Sequence, residues 1–101
     1  MTAIQTLHAW LHHKTLPNGY VLPDVIDNNI SCFRILNSKK NGLSIAYPSY
    51  VKGHNRKVVS FIETMLIRNG EICHDVDLDY ACPLHFYTFE DLFNEILRIC
   101  N

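Results

Sequence analysis

The chain has 101 residues, 48% apolar and 19% charged, with a formal net charge of −1. That length holds one domain, residues 1–101, with one modest core, and that composition excludes a disordered tail. No stretch approaches the roughly 20 apolar residues of a membrane helix, and the first residues lack the basic and apolar runs of a signal peptide.

Residues 2–14 read as a first helix. Ile4, Leu7 and Leu11 fall at helical spacing with Trp10 beside them, and Thr2 is placed to cap the start; an edge strand is the competing reading. Pro17-Asn18-Gly19 then breaks the chain. Residues 20–26 are extended, and Pro23, which has no N–H for a ladder, makes them an edge strand or a loop. A turn at Asp27-Asn28-Asn29 leads to two strands, residues 30–37 and 43–47, joined by the hairpin loop Ser38-Lys39-Lys40-Asn41-Gly42. Pro48 is expected to end the second strand, which leaves residues 50–56 as a polar, basic loop with Gly53 at its tip.

Asn69-Gly70 carries the strongest local signal, because both residues tolerate the positive φ of a type I′ hairpin turn. Pairing outward sets Arg68 opposite Glu71, Ile67 opposite Ile72, Met65 opposite His74, Glu63 opposite Val76, Phe61 opposite Leu78 and Val59 opposite Tyr80. This register predicts a core face through Met65, Phe61 and Val59. The solvent face would carry Val58, Ser60, Ile62, Thr64 and Leu66, with Cys73, Asp75, Asp77 and Asp79 across from them. The last element is a helix capped by Thr88, with Asp91 at the third position. Phe89, Leu92, Phe93, Ile96, Leu97 and Cys100 form its apolar stripe, while Glu90, Asn94, Glu95 and Arg98 face out. Together these elements predict an α+β fold: a small antiparallel β-sheet with a C-terminal amphipathic helix and a short N-terminal helix.

The charges are unevenly distributed. Residues 1–60 hold seven basic against two acidic residues, net +5, and residues 61–101 hold two against eight, net −6. Either the surface is bipolar and binds an anion on one side, or the halves interleave and the charges mix. Lys39 and Lys40 in one loop, with Lys52, Arg56 and Lys57 in the next, are candidates to converge at one end of the sheet. Tyr47 and Tyr50 stand nearby for base stacking. Phosphates need clustered cations and single-stranded bases need aromatic platforms, so the mixture suits nucleic acid.

Asp75, Asp77 and Asp79 alternate along a strand and project from one face at roughly 6.5–7 Å intervals. They stand too far apart to chelate one ion without bending toward it. They read as a charged face that keeps a long hairpin soluble, or as an acidic ladder toward a basic protein partner. No cofactor and no metal is expected. Cys73 and His74, as strand neighbours, point to opposite faces and make no zinc site with Cys82 and His85. His8 and His12 share a helical face at i, i+4, yet a single pair without a nearby carboxylate reads as solvated surface. No catalytic residue is predicted: no Gly-x-Ser-x-Gly elbow is present, and the glycines are scattered over turns.

Asn41-Gly42-Leu43-Ser44-Ile45-Ala46-Tyr47-Pro48-Ser49 is an apolar strand that follows Asn-Gly and ends in Pro-Ser, preceded by Phe33-Arg34-Ile35-Leu36. Asp79-Tyr80-Ala81-Cys82-Pro83-Leu84 is an Asp-x-Ala-x-Pro-aliphatic run leading into the last helix. These blocks resemble the stage V sporulation protein G (septation regulator) family. The resemblance implies a small sheet with a C-terminal helix, dimerisation through the sheet, and binding to DNA and RNA. This chain departs from the family in placing Tyr50 and Val51 before Lys52, in the long stretch from Ser49 to Asp79, and in an acidic last helix. The expectation is a cytoplasmic, non-enzymatic regulator that binds nucleic acid through Lys39, Lys40, Lys52, Arg56, Lys57 and Tyr50 as a homodimer, with no membrane contact. The alternative is a small viral or mobile-element interaction module or inhibitor that holds a basic protein through Asp75, Asp77 and Asp79.

Overall fold

Thr2 opens the first helix with a reciprocal cap. Its hydroxyl accepts from the Gln5 backbone N–H at 3.3 Å, and the Gln5 side-chain oxygen accepts from the Thr2 N–H at 2.9 Å. Helix α1, Ala3–His12, follows in this computed structural model, which describes residues 1–52, 54–73 and 84–100. Ile4, Leu7 and Leu11 lie on one side of α1 and are buried, as their spacing requires. The edge-strand alternative for this segment is not realised.

Residues 13–31 hold no further helix or strand beyond one bridge, where the Val21 N–H donates to the Leu36 carbonyl. Leu22 and Ile26 nevertheless reach the core. The sheet is built from β1 (Cys32–Leu36), β2 (Gly42–Lys52), β3 (Val58–Arg68), β4 (Glu71–Ile72) and β5 (Leu84–Phe86). Among the described residues all pairings are antiparallel; the order is β1-β2-β3, with β4 and β5 both on the far edge of β3. Helix α2, Phe89–Ile99, closes the chain, and the Thr88 hydroxyl accepts from the Asp91 N–H at 3.1 Å at its start. The described residues thus form the expected α+β arrangement, two helices and a five-stranded sheet.

The register decides the core. Phe33, Ile45, Thr64 and Leu84 make one row across the sheet, and Ile35, Leu43 and Leu66 make the next. Both helices cover this face, with Leu92 and Ile96 of α2 joining Ile4, Leu7 and Leu11 of α1. Trp10 sits 5.4 Å from Phe89 and 6.1 Å from Phe93, ring to ring, which ties the two helices together.

Four expectations are corrected. The core face of β3 is the one carrying Ile62, Thr64 and Leu66, not the one carrying Met65, because those residues lie beside the buried Leu43 and Ile45 of β2. Glu63 lies opposite His85, not Val76, since β5 occupies that part of the β3 edge. The outward pairs with His74, Leu78 and Tyr80 fall outside the described residues, whereas Arg68–Glu71 and Ile67–Ile72 pair around the Asn69-Gly70 turn as expected. Strand β2 does not end at Pro48: it continues to Lys52 through a bulge between Ala46 and Ser49, where the Tyr47–Pro48 bond is cis. A bulge is a place inside a paired strand where a missing N–H can be accommodated without losing a ladder bond. On α2 the stripe is displaced: Glu95 is buried and ion-paired with Arg98, while Leu97 is exposed.

Candidate nucleic-acid interface

The continuation of β2 past Pro48 creates a feature absent from the sequence reading. Strand β1 stops opposite Ala46 and β5 stops opposite Ile62. The paired segments 49–52 and 58–61 run on beyond both as a two-stranded ribbon. Among the described residues no strand pairs with either of its outer edges. Ser49 lies opposite Phe61, Tyr50 opposite Ser60, Val51 opposite Val59 and Lys52 opposite Val58. The chain returns through a 3-10 turn, His54–Arg56, in which Asn55 and Arg56 both have left-handed φ, 66° and 60°.

The ribbon is chemically distinct from the rest of the molecule. Residues 49–60 contain Lys52, Arg56 and Lys57 and no acidic residue, and all three cations are exposed. Tyr50 is 63% exposed and Val58 61%, with Val51 and Val59 also open to solvent. The shaft therefore presents apolar surface and the distal end presents positive charge.

Lys39 and Lys40 do not join this group. They occupy the β1–β2 turn, at the opposite end of β2, about 30 Å from Lys52 along the strand at the usual rise per residue. That end is stitched together by hydrogen bonds: the Gly70 N–H donates to the Lys40 carbonyl at 2.8 Å, and the Asn69 N–H donates to the Asn41 side-chain oxygen at 2.9 Å. Arg34 adds a bond to the Gly70 carbonyl at 3.3 Å. The expected convergence of five cations thus resolves into a ribbon group of three and a turn pair at the far end. Tyr47 is not free for stacking either, being half-buried with its ring 6.0 Å from that of Phe89.

Asp75, Asp77 and Asp79 lie outside the described residues, as do His74 and Cys82 of the zinc reading. His8 is not on solvated surface. It is only 6% exposed and its ring meets that of Phe33 at 5.5 Å. No helix among the described residues is long and apolar enough to cross a membrane.

Pro48 conceals the ribbon in the sequence, because a proline ordinarily marks the end of a central strand. The available signal was the run from Val58 to Arg68, which offers enough partner strand to pair with residues on both sides of Pro48. Comparison with known proteins returns no match among family models, curated proteins or solved structures.

Proposed function

We propose that the chain is a non-enzymatic regulatory protein that binds nucleic acid through the distal end of the β2–β3 ribbon. The observation that supports this reading is the ribbon itself: a projecting pair of strands with three exposed cations, no acidic residue and an exposed tyrosine on its shaft. Lys52, Arg56 and Lys57 contact phosphates, and Tyr50 lies where a base or sugar can pack on its ring. A two-stranded ribbon also has the width to enter a major groove. The likeness to the septation regulator family points the same way and supplies the homodimer. In this proposal the ribbon shafts, with Val51 and Val59 exposed on one face, meet between two copies.

Titration of the protein into labelled single- and double-stranded probes at 50 and 200 mM salt tests the reading. Three phosphate contacts give a slope of about −2.7 in log K against log salt, or roughly a fortyfold loss of affinity over that range. Reversing the three ribbon charges together (Lys52→Glu, Arg56→Glu, Lys57→Glu) is expected to abolish binding. A flat salt response, or no binding to any probe at 50 mM salt, removes the proposal.

A further inference from the structure

Helix α1 and the loop after it bring three electron-rich atoms to one point. His8 Nε2 lies 2.5 Å from the Pro23 carbonyl oxygen and 3.2 Å from His12 Nε2. An imidazole nitrogen carries either one proton or one lone pair. If His8 Nε2 holds the proton and donates it to Pro23, His12 Nε2 can only share that same hydrogen. If His12 Nε2 donates to His8 instead, the Pro23 oxygen faces a lone pair at 2.5 Å. One hydrogen on His8 Nε2 serves only one of the two contacts well, and the exposed His12 Nε2 is otherwise left to solvent. A cation held by both nitrogens would engage their two lone pairs together.

From this geometry we infer that His8 and His12 form a chelating site for a divalent transition metal of the zinc type. Ligand atoms around a tetrahedral ion with bonds of about 2.0–2.1 Å stand roughly 3.3–3.4 Å apart. The 3.2 Å between the two Nε2 atoms matches that spacing. Pro23 is closer than a ligand should be, so its carbonyl moves outward by under about 1 Å to coordinate or to leave the ion. It lies in a segment that no sheet ladder holds, apart from the bridge at Val21.

The His8 imidazole is pre-positioned, and His12 is held against it one helical turn on. Leu7 and Leu11, beside them on α1, are fully buried, and the His8 ring packs edge-on against Phe33. The two histidines border a cavity of about 470 Å³ that also takes in His13 and Asp24. Asp24, distant in sequence from the helix, puts a carboxylate in the same groove. Among the described residues no three His, Cys, Asp or Glu side chains converge on one point. The remaining coordination positions therefore go to water or to a ligand from solution, and Zn²⁺ suits such a mixed, open shell.

Equilibrium dialysis of the full chain against Zn²⁺ tests the site, with Co²⁺ absorption reporting the ligand type. The expected result is one ion per chain, a cobalt spectrum without a thiolate charge-transfer band, and a loss of about tenfold or more in affinity in His12→Gln. His12 is exposed, so that variant keeps the fold, as circular dichroism verifies. His85→Gln, exposed and away from this groove, is expected to bind as the parent does. Absence of saturable binding, unchanged affinity in His12→Gln, or a thiolate band showing the ion at cysteine, each overturns the inference.

Discussion

Gly42 and Cys100 show how single positions constrain this fold. A Cβ on Gly42 would lie 1.8 Å from the Ile35 carbonyl oxygen, a backbone atom held in a paired strand that cannot step aside. Gly42→Ala is expected to cost about 3 kcal/mol, read as a fall in the urea midpoint. Cys100, just past the last turn of α2, is fully buried, and burial pushes its thiol from 9.0 up to about 11, with Arg68 pulling weakly the other way. The unfolded thiol ionises first, so the stability this group contributes is complete below pH 9 and declines as pH rises toward 11. Cys100→Val removes that dependence. Its stability is expected to fall less than the parent's between pH 8 and 10.5, by on the order of 1–2 kcal/mol. In the native protein Cys32, which is exposed, should react with a disulfide reagent well before Cys100 does.

At the scale of elements, β3 is the informative case. It pairs on both edges, and both its faces hold buried residues: Ile62, Thr64 and Leu66 toward the helices, Phe61 and Ile67 on the other side. A strand buried on both faces loses the apolar–polar alternation that would reveal its orientation. Its pattern therefore fits either orientation, and the Met65 face looks like the core. Helix α2 was easier to place because Thr88 caps it and its stripe is broad, yet Glu95 shows that an acidic residue can lie on the buried side when Arg98 pairs with it. The orientation of β3 has a direct test. Leu66→Ala is expected to cost about 3 kcal/mol in chemical denaturation, and Met65→Ala, on the half-buried outer face, about 1 kcal/mol. The reverse order would return the core to the Met65 face.

At the scale of the molecule, the basic residues of the first half do not gather into one pole among the described residues. The halves interleave in the sheet, and antiparallel pairing sends the β1–β2 turn and the ribbon to opposite ends. If the ribbon is the nucleic-acid interface, the two ends act independently. Lys39→Glu with Lys40→Glu should leave affinity for the preferred probe within about twofold, because charges about 30 Å apart are screened over several Debye lengths. The ribbon triple variant should lose binding. Equal losses in both would point to a surface that wraps the molecule rather than to the ribbon.

What the sequence determined by itself lies close in the chain. The cap at Thr2, the Asn69-Gly70 turn, the cap at Thr88 and the α+β class all follow from short-range chemistry, in which each residue meets partners within one turn of itself. Tertiary structure decided what depends on partners far away. Leu43 and Ile45 selected the core face of β3, the reach of β3 carried β2 past Pro48, and the antiparallel register separated Lys39 and Lys40 from Lys52. The loop carrying Pro23 and Asp24 packs against His8 and buries it, while His12 beside it stays exposed. Those outcomes rest on registers and contacts between distant segments, which local propensity does not encode.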